Sequence, residues 1–281
     1  MDGNPPRHRP SPAPRIDIGD TLHDGWLAFC RAPWCFTGFA LLLMVLQLLL
    51  VPLQDRLPGS GSSSQPLDWL LGLVGVALSL LLNLWGSVGL VRGAERALQG
   101  ERPRLGLLLR WDGPAMGRLL VAGLALAGVL LLALALAMSV GVLGAGLLWL
   151  LERPLAAMGS GGAALPGLLL GLLVLILLAA LVVLVVYLAV NQQVLVQIVL
   201  QERRGPLASL QRGRELVDPQ WILMLILGLI ETALLLLGVL TMVVGVLVAW
   251  PVVTCITTAA YRQLLVVSAR KPSTPTIASS S

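Results

Sequence analysis

The sequence has few of the residues from which soluble enzymes build active sites. Of its 281 residues only 12% are charged and 5% are aromatic, with two histidines and three cysteines. Both histidines, His8 and His23, precede the first long apolar run, which argues against a histidine-based hydrolase or a buried histidine metal centre. The three cysteines give neither a disulfide framework nor a zinc spacing. We therefore expect no catalytic residues, no metal ion and no cofactor.

Long apolar runs fill the chain instead. Hydrophobic residues make up 57% of the sequence and the mean hydropathy is +0.90, whereas a soluble domain carries about 25% charged residues. A membrane core about 30 Å thick requires about 20 apolar residues for each helical crossing. The sequence predicts an all-α integral membrane protein in which six helices cross the membrane, with the ends of the third and fourth left open. The predicted spans are residues 34–53, 69–91, 115–139, 167–190, 219–239 and 243–267.

The basic residues are concentrated on one side of these spans. All of the 19 except Arg56 and Arg153 lie before span one, in the second and fourth connections, or from the end of span six onward. Because Lys and Arg are retained on the cytoplasmic side, both termini are predicted to be cytoplasmic. The net charge of +5 then matches anionic headgroups, so membrane lipids are the expected partners and nucleic acid is not. Protein partners and the oligomeric state stay open.

A short amphipathic segment precedes each odd-numbered span. In "GDTLHDGWLAFCRAPW", residues 19–34, Leu22, Trp26 and Phe29 recur at helical spacing, and similar segments occupy 102–116 and 205–221. Such helices lie in the membrane interface. The chain is thus predicted to contain three units, each a cytoplasmic amphipathic helix followed by a transmembrane hairpin. Residues 16–268 would form this membrane domain, between disordered tails at 1–15 and 269–281.

The order of these motifs resembles a known family. The segments are "W..FCRAPW" at 26–34, "GLVRGAERALQGERPRLGLLL" at 89–109, "GPLASLQRGRELV" at 205–217 and "LGVLTMVVGVLVAWPVVTCITTAAYRQLL" at 237–265. They resemble the six-helix bacterial membrane domain of some glycerophosphodiester phosphodiesterases and of related uncharacterised membrane proteins. The resemblance implies this fold and a place in the bacterial inner membrane. In two-part members a soluble phosphodiesterase domain follows; its activity is not expected here.

Glu231 is an acid within an apolar run, residues 221–267, whose only other charge is Arg262. It lies about 18 Å from the cytoplasmic end of span five at 1.5 Å per residue, near the bilayer midplane. A charge there costs about 2.5 kcal/mol or more, so Glu231 should face protein or water. Asn83, on a stripe of small residues in span two, is predicted at a similar depth. Span six adds a polar face consisting of Thr254, Thr258 and Tyr261.

Two interpretations of Glu231 remain open. In the favoured one, a protonated acid bonds to Asn83 or a backbone carbonyl and fixes helix register, because burial favours the neutral form and no basic partner is present. This suits a noncatalytic membrane scaffold or lipid-associated protein. In the alternative, Glu231 is the carrier in a proton-coupled polar pathway, which suits a small transporter or lipid-translocating protein.

Two further segments carry candidate polar contacts near the cytoplasmic interface. The second connection supplies candidate contacts for anionic headgroups, although positive-inside retention alone would also place arginines there. These arginines are Arg92, Arg96, Arg102 and Arg104. In "NQQVLVQ", residues 191–197, Gln193 and Gln197 lie one turn apart and could bind a headgroup, but a wet helix end is the favoured interpretation.

Overall fold

The computed structural model describes residues 16–56, 66–156, 164–202 and 205–269. These ranges are helical and contain no strand. The helices are α1 Ile18–Cys30, α2 Pro33–Gln54, α3 Pro66–Leu98, α4 Leu105–Leu108, α5 Gly113–Ala156, α6 Ala164–Gln192, α7 Leu195–Gln201, α8 Pro206–Val217, α9 Trp221–Leu240 and α10 Met242–Ala269, with a 3-10 turn at Asp218–Gln220. The predicted tails lie outside these ranges, apart from residue 269.

Six helical segments in the described part of the chain are long and apolar enough to cross a membrane. They correspond to α2, α3, α5, α6, α9 and α10, so the predicted all-α, multi-pass membrane protein is confirmed at this level. The third span differs from expectation, because α5 continues to Ala156. Its 44 residues extend about 66 Å at 1.5 Å per residue. No proline occurs between Pro114 and Pro154, so nothing in the sequence ends the helix earlier.

The six helices pack in sequential pairs around α10. Contacts join α2 to α3, α5 to α6 and α9 to α10, and α10 also contacts α1, α2 and α3. In the most apolar stretch of α10, 56% of the residues are buried within the protein, compared with 6% for α6. The bundle is therefore centred on α10, whereas α5 and α6 lie at its periphery with most of their apolar surface exposed.

The short helix α1 lies lengthwise along α10. The backbone N–H of Asp17 donates to Gln263 Oε1 at 3.1 Å, while Gly25 abuts the backbone of Ile256. The later residue of α1 thus contacts the earlier residue of α10, so the two helices are antiparallel. The sequence suggested a helix lying in the interface under the first span. The structure differs because the face of α1 that includes Thr21 and Phe29 is buried against protein.

One end of the bundle collects many of its arginines. A guanidinium nitrogen of Arg31 donates to the carbonyl of Ala97 near the end of α3. Arg31 also shares a groove with Leu98 and Arg262, the latter near the end of α10. We call this end, at which α3 and α10 terminate, the basic end.

Candidate functional site

Glu231 forms a buried contact between α9 and α10. Its side chain is 7% exposed, and the hydroxyl of Thr257 lies 2.9 Å from Glu231 Oε1. The same hydroxyl lies 2.9 Å from the carbonyl oxygen of Val253 on its own helix. No Arg or Lys in the described ranges forms an ion pair with Glu231. The acid is thus held by a neutral hydroxyl and not by a basic side chain.

Asn83 does not take the place predicted for it. Its amide donates to the carbonyl of Ser79 on its own helix at 2.9 Å. It lines a separate cleft of about 240 Å³ between α2, α3 and α10, beside Gln47, whose amide donates to Ser79. The expected contact between Asn83 and Glu231 is therefore wrong for the residues described. The residue count predicted a similar membrane depth for Asn83 and Glu231, but it did not show which helix each side chain faces. In the structure α9 and α3 each pack on α10.

The predicted polar face of α10 is present but makes different contacts at each residue. Thr254 donates to the carbonyl of Trp250 on its own helix at 3.0 Å. Thr258 donates to the carbonyl of Thr254 at 2.7 Å and lies 3.5 Å from the amide nitrogen of Gln197. Thr257 was not predicted, although it lies three residues after Thr254 and so on a neighbouring part of the same face.

Tyr261 connects this face to charged residues at the basic end. Its hydroxyl donates to Glu202 Oε1 at 3.2 Å, and Glu202 pairs with Arg212 at 3.3 Å. We call the set Glu231, Thr257, Thr258, Gln197, Tyr261 and Glu202 the polar seam. Thr257 and Tyr261 are one turn apart on α10, so the contact of Glu231 lies about one turn from the residue that binds Glu202.

The first turns of α9 lie beside α6 and the turn that follows it. Trp221 stacks on Tyr187 with ring centroids 6.4 Å apart, and Gly228 abuts the amide of Gln193.

The amides of the "NQQVLVQ" segment are buried and do not form a wet helix end. The chain turns at residues 193–194 and continues as α7, which packs against α3, α5 and α8. Asn191 is 1% exposed and Gln197 3% exposed. Both amide atoms of Asn191 and the amide oxygens of Gln193 and Gln197 have no hydrogen-bond partner among the described residues. The sequence could not show that α7 covers them.

The predicted headgroup arginines mostly meet in one groove. A groove of about 560 Å³ lies between the end of α3 and α4. We call it the arginine groove. Its arginines are Arg96, Arg102, Arg104 and Arg110. Glu101 also lines it and pairs with Arg96 at 2.6 Å. Within the part of the chain that the structure describes, the other three arginines form no ion pair.

The turn that forms the groove depends on Gly100. This glycine has φ +92°, a conformation that other residues rarely adopt, and it turns the chain after α3 so that Glu101 meets Arg96. Arg92 is not among the lining residues, because it pairs with Asp112. Arg110 was not predicted, although it follows the leucines of α4 in the same basic connection.

Comparisons with protein-family models, with curated proteins and with solved structures find no match.

Proposed function

We propose that this chain is a noncatalytic, lipid-associated membrane protein that holds anionic lipid headgroups in the arginine groove. The observation that carries the proposal is a groove lined by four arginines and one glutamate. A guanidinium group presents a planar fork of donors that matches two phosphate oxygens, and it keeps its charge at any physiological pH. The volume of about 560 Å³ falls within the range of small-molecule sites.

The surroundings of the groove suit the membrane interface. Leu105 is 43% exposed, Leu109 40% and Trp111 59%. Leu105 follows Arg104 in the sequence, and Leu109 and Trp111 flank Arg110. Exposed leucines can enter the apolar edge of the bilayer, tryptophan is enriched at that level, and arginine reaches from there to the phosphates. The α4 region therefore supports binding of a lipid headgroup over binding of a free anion.

The proposal includes an arrangement in the bacterial inner membrane, with three transmembrane hairpins and both termini in the cytoplasm. The contacts of α2 with α3, α5 with α6 and α9 with α10 support the hairpins. The bias of basic residues supports a cytoplasmic basic end. The choice of the bacterial inner membrane rests on the resemblance to membrane domains of glycerophosphodiester phosphodiesterases, which stays a prediction.

The test is a lipid titration of the purified full chain followed by native mass spectrometry. Wild-type protein should retain phosphatidylglycerol in preference to phosphatidylcholine. Changing Arg102, Arg104 and Arg110 together to glutamine should weaken phosphatidylglycerol binding about 100-fold, at about 1 kcal/mol for each arginine near anionic lipid. Phosphatidylcholine binding should not change.

A matched control is available at the other end of α3. Arg56 pairs with Asp68 at 3.3 Å and lies outside the groove, so Arg56→Gln should leave both affinities unchanged. Equal retention of the two lipids by wild type would contradict the proposal. So would a loss of phosphatidylglycerol in Arg56→Gln as large as in the triple variant.

A small transporter that uses Glu231 is the alternative function. It is favoured by the polar seam, in which the contact of Glu231 with Thr257 lies one turn from Tyr261, and Tyr261 binds Glu202, the partner of Arg212. Transport predicts that Glu231→Gln, with its fold intact, abolishes a solute-dependent or pH-dependent flux in vesicles. A lipid-associated protein predicts no such flux in either wild type or variant.

A further inference from the structure

The hydroxyl of Thr257 faces two acceptors with a single proton. The hydroxyl of Thr257 lies 2.9 Å from the carbonyl oxygen of Val253 and 2.9 Å from Glu231 Oε1. A hydroxyl has one proton to donate. If it donates to Val253, as threonine commonly does within a helix, its lone pairs face the carboxylate. Either a proton on the carboxyl group or a bound cation then has to join the two oxygens.

The burial of Glu231 makes the same demand. The side chain is 7% exposed, and an ionised carboxylate in such a place is paired or coordinates a metal ion. No arginine or lysine of the described ranges supplies the positive charge. The single negative charge of an ionised Glu231 would therefore be balanced by one monovalent cation.

Two buried amides whose oxygen atoms have no partner among the described residues lie against the two helices of this pair. Gln197 is 3% exposed and its amide nitrogen lies 3.5 Å from Thr258, the residue after Thr257. Gln193 abuts Gly228, one turn before Glu231, where a Cβ atom would collide with the amide. The amide oxygens of both glutamines are buried and have no hydrogen-bond partner among the described residues. Both amides reach the two helices that carry Glu231 and Thr257 with their nitrogen atoms. Rotation of each amide by 180° would present its oxygen atom there instead.

The backbone is also interrupted at this point. Helix α6 ends at Gln192, and α7 begins at Leu195. Non-helical backbone among membrane helices is tolerated where it is buried in protein or lines a polar cavity. In transport proteins, breaks of this kind commonly contribute to binding Na⁺ or a proton. The turn at residues 193–194 brings Gln193 to α9.

We propose that Glu231, Thr257, Gln193 and Gln197 bind a monovalent alkali cation. Carboxylate, hydroxyl and amide oxygens are the ligands that hard cations prefer. A single carboxylate balances a single charge, which favours a monovalent over a divalent ion. Groups of three or more His, Cys, Asp or Glu side chains, which transition metals would require, do not occur in the described residues. The site is separate from the arginine groove and does not depend on lipid binding.

The test is equilibrium binding of ²²Na⁺ and ⁸⁶Rb⁺ to the purified full chain in detergent at constant ionic strength. We expect saturable binding of one ion per chain, displaced by unlabelled Na⁺ or K⁺ but not by choline. Glu231→Gln removes the charge, and Gln197→Met removes one oxygen while keeping most of the volume. Either variant should lower the affinity at least tenfold.

Thr232→Val is the matched control. Thr232 follows Glu231, is exposed, and donates only to the carbonyl of Gly228 on its own helix at 2.7 Å, so this variant should bind the tracers as wild type does. Failure of the wild-type protein to bind either tracer above the choline background would overturn the proposal without reference to any variant. Unchanged binding by a folded Gln197→Met protein together with a folded Glu231→Gln protein would also overturn it, leaving a protonated acid with water in the seam.

Discussion

Replacing Gly25 with alanine tests whether α1 packs lengthwise on α10. A Cβ atom at Gly25 would lie 2.7 Å from the Cα atom and 2.8 Å from the backbone nitrogen of Ile256. Backbone atoms cannot rotate away as a side chain can, so α1 has to shift as a unit. Overpacking of this kind costs about 1–3 kcal/mol, which exceeds the gain of up to about 1 kcal/mol from alanine in a helix.

The expected consequence is easier opening of the contact between α1 and α10. Cys255 precedes Ile256 and is fully buried, so its reaction with a thiol reagent reports this opening. Cys30 and Cys35 would first be changed to serine, leaving Cys255 as the reporter. A net loss of about 1 kcal/mol would speed the labelling about fivefold when opening is faster than reaction. The thermal midpoint in detergent should fall in parallel.

Gly38→Ala is the control for the helix propensity of alanine. Gly38 lies in α2, and a Cβ atom there would have no neighbour within 4 Å. This variant should be as stable as wild type or slightly more so, with Cys255 still protected. If Gly25→Ala behaves as Gly38→Ala does, the packing of α1 on α10 is refuted, because α1 could not then lie against Ile256 in the membrane-embedded protein.

Two further changes test the turn and the ion pair beside the arginine groove. Gly100→Ala should weaken phosphatidylglycerol binding, because φ +92° costs a residue with a side chain about 1 kcal/mol or more. Gly117 in α5 lies outside the groove and has open space around it, so Gly117→Ala should retain lipid in the same native mass spectrometry titration. Equal binding by both variants would contradict this role of the turn. Asp112→Asn should lower unfolding free energy by about 1 kcal/mol, since it removes the charge paired with Arg92 while leaving an oxygen to cap the N–H of Ala115. A denaturation midpoint in detergent equal to that of wild type would contradict that expectation.

The membrane helices were predictable where the sequence marks their ends. The first span was predicted at 34–53 and α2 runs Pro33–Gln54, because Pro33 starts a helix and charged residues follow Gln54. The third was predicted to end at 139, whereas α5 continues to Ala156. Hydropathy measures the length that suffices to cross a bilayer, but a helix ends only where its backbone hydrogen bonds are interrupted. No proline interrupts α5 before residue 154.

The sequence identified several of the residues that belong to the candidate sites, but it did not identify the partners that they contact. Glu231 was identified because an acid is rare in an apolar run, and Tyr261 because it lies on a polar face of α10. The partner Asn83 was wrong, since residue counts give depth but not the direction in which a helix face points. The burial of Gln197 was also missed, because it depends on how α7 folds over the bundle.

The distribution of polar residues on α9 and α10 separates a binding site from a pathway across the membrane. From Glu231 toward the basic end, Thr257, Tyr261 and Glu202 provide successive polar groups that reach Arg212. In the opposite direction, residues 233–240 of α9 carry no polar side chain, and residues 242–253 of α10 carry only the indole of Trp250. The two helices pack closely there, with Gly238 against Gly245. The polar side chains therefore lie on one side of Glu231, which suits a binding site and not a pathway across the membrane.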